Sequence, residues 1–433
     1  MSTIPLPKNT NWSFFEKIGF RFFFSYFVLY ILFNNNGAYP FFQIISGWYH
    51  KYLQSFIPWI GKTFLGISRE IPTGPTGSGD TTYDYLLVFT MGLIAVLSSI
   101  VWTLLDRKSD HYLKMYYWLS LAIRMYVGLM LINYGMVKII QLQFSAPSLY
   151  RLTQNFGDAS PMGLAWTFLG FSKGYNIFMG IAEIAAVLLL FRRTMAFGLI
   201  ITLMTTANVM AVNYFYDVPV KLLSTHLFLM AAFLFARDFS NVWQFFFFRK
   251  PVALSSIYRP NFKKGFKIFL LSFKILLLVY VLGFGFFNTL ASKARYANPN
   301  VNAPLKGLFE VEEVSINNGK ENAKIETHIK DWKYILVNSP KYATIRTYKN
   351  NTQSFTFGAD TISKKVVLSS LNGSSNEEYH FTYTEDSNNI FYFKGTIKND
   401  SISLKLKRTI NYKDKFLLTN RGFHWINEVP FNR

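Results

Sequence analysis

Up to about residue 290 the apolar residues come in long, weakly charged blocks; beyond residue 297 they alternate with polar ones in short runs. A helix that crosses a ~30 Å hydrocarbon core needs about 20 mostly apolar residues. Tyr85–Leu105 and Thr194–Phe215 meet that with no charged residue at all. Five more stretches, residues 18–33, 115–140, 174–191, 218–235 and 268–290, carry charges only at their ends or at isolated positions. The pattern predicts about seven transmembrane helices. The first is expected not to be a cleavable leader, because it has no small-residue cleavage site and runs into Asn34-Asn35-Asn36. Residues 38–66 and 147–172 are apolar but broken by Pro40, Pro58, Pro147 and Pro161. They read as interfacial or re-entrant helices, the first followed by a Gly/Thr/Pro loop from Pro72 to Thr82.

The C-terminal runs predict ten strands: Phe309–Ile316, Trp332–Asn338, Ala343–Tyr348, Gln353–Gly358, Lys364–Ser369, Tyr379–Thr384, Ile390–Lys394, Ser401–Lys407, Lys415–Leu418 and Gly422–Ile426. Asp386-Ser387-Asn388-Asn389 and Lys398-Asn399-Asp400 are turn signals between them. Short, evenly spaced strands without a helical period argue for an antiparallel, lipocalin-like barrel, either filled by its own side chains or holding a small apolar ligand. The fold expected is thus an α-helical polytopic membrane protein with an appended all-β domain. Its parts are a transmembrane hairpin with an interfacial segment (1–110), a four-helix core (111–238), a basic linker with the last span (239–292) and the β domain (293–433).

Composition agrees: 51% of the 433 residues are hydrophobic and only 16% charged, against about 25% charged in soluble domains. The net charge of +21 is uneven, because the first 296 residues hold 26 basic and 10 acidic side chains. No cysteine is present, which removes disulfides, thiol redox motifs, Fe–S clusters and lipidated thiols. Orientation follows from basic residues near span ends. With the N-terminus inside, Lys8, Lys17, Arg107, Lys108, Arg192, Arg193 and the group Arg237, Arg249, Lys250, Arg259, Lys263, Lys264 and Lys267 are cytoplasmic. An odd number of spans in a bacterial inner membrane then puts the β domain outside. The basic, aromatic stretch Phe239–Lys267 reads as an anchor on anionic headgroups rather than a nucleic-acid site.

Ionisable residues within spans are costly and mark function or a structural pair. At ~1.5 Å per residue, Arg124 and His226 lie ~14 Å, and Glu183 ~12 Å, from the inner ends of their helices. Asn208 and Lys221 fall at ~21 Å, with Lys138, Asn213 and Asp217 at the outer edge. Each has a plainer role open to it. Arg124 and Glu183 would neutralise each other; Asp217 would cap the sixth span; Lys221 would pair with Asp217 at i,i+4 or reach the headgroups. His226 would bridge helices, and Arg21 and Lys274 would snorkel. Haem b is not expected, since only His226 lies within a span, and no zinc-ligand cluster occurs. A pocket for a lipid-soluble headgroup survives. A quinone carbonyl would accept from Lys221, Asn208 or Arg124, and Glu183 or His226 would pass protons. The alternative is a membrane anchor whose outer domain docks an envelope partner. Transport is disfavoured, because no inverted repeat or broken helix pair is evident.

Gly135-Met136-Val137-Lys138 closing one helix, Gly180-Ile181-Ala182-Glu183 in the next, and Leu188–Phe191 with Arg192-Arg193 together resemble the DoxX family over residues 115–236. Asn208, Asn213, the run Tyr216–Lys221 and the loop Gly157–Met162 are similar to longer members. The resemblance implies a four-helix core and quinone-side redox work. The family is also similar to the membrane part of vitamin K-dependent carboxylases, where a lysine acts on a hydroquinone; Lys221 with His226 loosely matches that arrangement. The absence of cysteine, the extra spans and the β domain depart from the common pattern.

Overall fold

The computed structural model describes residues 11–254, 258, 260–301, 304–317, 329–371, 378–397 and 400–432. Lys8, Arg259 and the Lys398-Asn399 part of a predicted turn lie outside the described residues. The chain divides into two compact units, Met1–Phe144 with Pro161–Thr289, and Ser145–Ser160 with Leu290–Arg433.

The first unit is helical. Helix α1 (Phe14–Phe33) starts at a capping box, in which Ser13 Oγ accepts from the Glu16 N–H and the Glu16 carboxylate accepts from the Ser13 N–H. Helix α2 (Phe42–Leu65) runs through Pro58, and α3 (Thr82–Leu105) starts at a second box made by Thr81 and Asp84. Then come α4 (Leu113–Ile139), a short α5 (Leu149–Leu152), α6 (Pro161–Phe171) and α7 (Lys173–Ile184). A 3₁₀ turn over Ala185–Leu190 prolongs α7. Next follow α8 (Met195–Phe215), α9 (Lys221–Phe248) and α10 (Lys264–Val279), which continues through a π turn at Tyr280–Phe284 into α11 (Gly285–Val301).

Six stretches among the described residues are long and apolar enough to cross a membrane: Thr82–Leu105, Leu113–Ile139, Lys173–Leu190, Met195–Phe215, Lys221–Phe248 and Lys264–Arg295. The chain is a multi-pass membrane protein. The seventh expected span is α1. It is helical, but its 20 residues carry Glu16, Lys17 and Arg21, so it falls outside the six. Its apolar face still enters the core through Phe20, Phe27 and Tyr30. Helix α4 is central: 67% of its apolar window is buried, against 6% for Lys264–Arg295.

Two expected snorkelling side chains turn inward instead. Arg21 is buried and donates to Tyr112 Oη (3.0 Å), Thr103 Oγ1 (2.8 Å) and the Asp106 carbonyl (2.8 Å), which fastens α1 to the α3–α4 turn. Lys274 donates to the Leu190 carbonyl and lies 4.0 Å from the Phe191 ring centre. Leftover carbonyls at the end of α3, for Arg21, and of the 3₁₀ turn, for Lys274, are partners within reach, so neither charge has to travel to the headgroups.

The second unit is a closed antiparallel barrel in simple up-and-down order: β1 (Gly307–Asn317), β2 (Trp332–Ser339), β3 (Tyr342–Thr347), β4 (Thr352–Asp360), β5 (Lys365–Ser370), β6 (Glu378–Glu385), β7 (Ile390–Ile397) and β8 (Asp400–Thr409). Pairing of Leu308 with Thr409 through Asn317 with Ser401 closes it, with a bulge between Val311 and Glu313. Alternation selects the core: along β6, Tyr379, Phe381 and Tyr383 are buried while Glu378, His380 and Thr382 are exposed. Aromatic side chains led by Trp332, Phe309, Phe355 and Phe391 fill the interior. The internal void measures about 10 Å³, no more than one water needs.

The predicted ninth and tenth strands are absent. Tyr412–Asp414 is a 3₁₀ turn, Leu417–Asn420 a helical turn, and residues 422–426 are irregular. Once β8 pairs with β1 the barrel offers no free edge for further strands. The segment 147–172 read as one interfacial element is divided. Its first part packs on the barrel, with Leu149 against Leu308 and Leu336, and Pro161–Phe171 becomes a helix of the membrane unit.

Candidate functional site

The two glycine motifs of the sequence meet. A Cβ on Gly135 would come 2.6 Å from the Gly180 carbonyl oxygen, and a Cβ on Gly180 would come 2.6 Å from the Gly135 carbonyl oxygen. Helices α4 and α7 therefore touch backbone to backbone at this crossing. Lys138 and Glu183 each sit three residues further on. Both are buried, and Lys138 Nζ donates to Glu183 Oε1. The close approach that only glycine permits is what brings the two charged side chains together.

This pairing corrects the expected Arg124–Glu183 bridge. Arg124 instead donates through Nε to the Leu189 carbonyl at 2.6 Å and lines a different cavity. The 3₁₀ turn between Glu183 and Phe191 rises ~2.0 Å per residue rather than ~1.5 Å. Glu183 is thereby lifted toward Lys138 and away from Arg124.

A cavity of about 230 Å³ opens beside the pair. Its walls are largely apolar, with Phe144, Trp166 and Met179 prominent; Asn208, Asn213 and Gln143 add polar groups. Asn213 Nδ2 donates to the Val220 carbonyl at 3.3 Å. Two buried acceptors, Glu183 Oε2 and Gln143 Oε1, have no hydrogen-bond partner among the described residues. A buried acceptor left without a donor is costly, so the cavity suits a guest that brings hydroxyl or N–H groups. The Lys138 ammonium also lies 5.9 Å from the Tyr134 ring centre and 5.7 Å from that of Phe144.

Of the sequence candidates, Lys138, Glu183, Asn208 and Asn213 come together here. The others do not. Lys221 forms the i,i+4 pair with Asp217 at 2.8 Å, and the Asp217 side chain is 83% exposed. Asp217 caps nothing; it lies in a left-handed turn at φ 51°. The N-terminus of α9 is closed by Asp80 from a distant loop, whose oxygens accept from the N–H groups of Lys221 (2.7 Å) and Leu222 (2.9 Å). His226 stacks on Tyr30 with ring centres 3.9 Å apart. Its Nδ1 lies 2.6 Å from the Leu222 carbonyl oxygen and its Nε2 2.7 Å from Tyr26 Oη. Nδ1 must carry the proton to donate to a carbonyl, so Nε2 accepts from the tyrosine. Both ring nitrogens are occupied, and His226 ties α9 to α1.

Sequence reading missed Tyr134, Gln143, Phe144 and Trp166. Tyr134 was within reach, since it shares a helix face with Lys138 at i,i+4. The other three lie in or beside the proline-broken segment and carry no signal of their own. Among the described residues no three His, Asp or Glu side chains gather as a metal site.

The helical unit and the barrel define a polytopic membrane protein carrying an all-β domain. The chain is 36% identical over 118 residues to the uncharacterized protein YwoB of Bacillus subtilis (strain 168), a match that spans 27% of this chain and 73% of that protein. On that match it belongs to the same family as YwoB. No known family profile matches the chain, and no solved structure matches it.

Proposed function

We propose that the cavity beside Lys138 and Glu183 binds the head of a lipid-soluble molecule of the quinone or quinol class. The observation that carries this reading is the pair of unpartnered buried acceptors, Glu183 Oε2 and Gln143 Oε1, in a largely apolar cavity. Quinol hydroxyls would donate to these oxygens, and a quinone carbonyl would accept from Lys138 or Asn208. A volume of about 230 Å³ is smaller than the 300–1,000 Å³ typical of drug-sized ligands, so it suits one ring head with its tail left in lipid. The resemblance of residues 115–236 to the DoxX family supports the same class.

The membrane is read as a bacterial inner membrane. Basic side chains gather at Arg107-Lys108, Arg192-Arg193 and Arg249–Lys267, and the positive-inside rule makes those turns cytoplasmic. The six apolar helices then leave the β domain extracytoplasmic whichever way α1 runs. The basic Arg249–Lys267 stretch would rest on anionic lipid.

The filled barrel interior favours a second role for that domain. With a void of only about 10 Å³ among the described residues inside, its outer surface is left to dock an envelope partner.

The test of the main reading is mass spectrometry of the organic extract from protein purified in mild detergent. A quinone or quinol near one per chain, lost in Glu183→Gln, is expected. An extract holding only phospholipid overturns the assignment.

A further inference from the structure

A second and larger cavity, about 440 Å³, lies between the first turns of α4, the turn after Leu190, and helices α9 and α10. Its chemistry is unlike that of the first. Arg124, Arg192, Arg237, Lys267 and Lys274 all line it, and no carboxylate is among its described lining residues. Asp238, buried beside Arg237 with its oxygen 2.9 Å from the guanidinium, offsets one of these charges. Arg124 and Lys274 donate to the neutral carbonyls of Leu189 and Leu190. Cations crowded around one cavity repel one another, and ionisable side chains in membrane-embedded sites normally pair with counter-charges.

The remaining walls suit an amphiphile. Tyr117, Trp118, Phe262 and Phe273 face the same space, and the Arg192 guanidinium sits 5.3 Å from the Tyr117 ring centre. No residue of α10 is buried, so the wall it forms has lipid behind it.

We propose that this cavity holds the phosphate of an anionic lipid, with arginine forks and lysines on the phosphate oxygens and the acyl chains running out along α10. This differs from a basic surface resting on headgroups, because it is one cavity between helices with a stoichiometry of one. It does not depend on what occupies the cavity at Glu183.

The experiment is native mass spectrometry of the full chain in mild detergent after delipidation, with dioleoylphosphatidylglycerol or dioleoylphosphatidylcholine added back. One phosphatidylglycerol per chain is expected to survive activation, and phosphatidylcholine is not. In Arg124→Gln with Lys274→Met, retention falls about tenfold or more, as loss of charge-assisted contacts requires. Arg124 also holds Leu189, so Arg192→Gln with Lys267→Gln at the rim serves as the variant that spares that contact; it too is expected to lower retention. Lys51→Gln with Lys62→Gln, both exposed on α2 and away from the cavity, leaves retention unchanged. Equal retention of the two lipids, or unchanged retention in the rim variant, overturns the proposal. So does displacement of the lipid by excess inorganic phosphate, which would make the site one for the free anion.

Discussion

The Asp80 carboxylate accepts the backbone N–H of Lys221, 141 residues further along the chain, at 2.7 Å. Its second oxygen takes the N–H of Leu222 at 2.9 Å. The loop before α3 thus supplies the cap that α9 lacks locally. Asp80→Ala removes both acceptors and a negative charge at a helix N-terminus, and a loss of about 1–2 kcal/mol is expected. Asp217→Asn breaks only an exposed i,i+4 pair and should change stability by under about 0.5 kcal/mol. Thermal unfolding of both variants in one detergent checks the order; the reverse order would restore Asp217 as the cap.

The Lys138–Glu183 pair is buried, so removing one partner strands a charge. Lys138→Met and Glu183→Gln are each expected to destabilise by several kcal/mol, toward the ~3–5 kcal/mol of broken buried pairs. Lys138→Leu combined with Glu183→Leu should recover most of that loss. The double variant is the useful one. A stable protein that no longer carries its lipid-soluble guest separates the role of the pair in binding from its role in the fold.

Both members of that pair were legible in the sequence as ionisable residues, Glu183 within a span and Lys138 at the outer edge, yet their partnership was not. Depth counted at ~1.5 Å per residue set Glu183 level with Arg124. The stretched 3₁₀ turn at Ala185–Leu190 and the reach of the lysine chain moved it to Lys138. For His226 the bridging role was legible but its partners were not: Tyr26 and Tyr30 come from α1, and no periodicity in α9 announces them. The eight strands of the barrel were readable because a single buried face imposes a two-residue period. The two false strands share that local pattern, and only barrel closure, a property of the whole sheet, excludes them.

The glycine crossing gives a sharper test of the helical core. Gly135→Ala or Gly180→Ala sets a Cβ 2.6 Å from a backbone oxygen, which the facing helix cannot yield without moving. Each should cost about 1–3 kcal/mol through overpacking and displace Lys138 from Glu183. Gly92→Ala in α3 has nothing within 4 Å and should be neutral or stabilising by up to about 1 kcal/mol. Unfolding midpoints of the three variants decide it, and equal effects would mean that the helices do not touch there.

Asp106 just beyond α3 accepts from the Ser109 hydroxyl at 2.7 Å and from Tyr112 Oη at 2.9 Å. Those bonds, with the Ser109 contribution the largest, hold its carboxyl at about 2, below the ordinary 3.8. A depressed carboxyl stabilises the fold above its unfolded value. The contribution is therefore present at neutral pH and lost as pH falls from 3.8 through about 2. Hydrogen exchange across residues 106–112 should accelerate over that window, and Asp106→Asn should remove the pH dependence. An unchanged profile in the variant would assign the transition to another carboxyl.

Arg346 holds residues 145–160 to the barrel. It is buried, donates through Nη2 to the Tyr150 carbonyl at 2.9 Å and through Nε to Thr153 Oγ1 at 3.1 Å, and stacks 4.9 Å from the Tyr150 ring centre. A third bond runs from Nη1 to Asn350 Oδ1 at 2.7 Å, and Asn350 in turn donates to Asp158. One planar guanidinium thus serves three acceptors in fixed directions, a geometry that lysine cannot copy. Arg346→Lys is expected to loosen residues 149–158 while β3 and its neighbours stay protected, because the strand ladder does not depend on the side chain. Charged hydrogen bonds are worth ~1.5–3 kcal/mol each; loss of even one should raise exchange in that segment more than tenfold. Hydrogen exchange read peptide by peptide separates the cases. Faster exchange confined to 149–158 supports the clamp, whereas faster exchange throughout the barrel would make Arg346 part of the sheet's own stability.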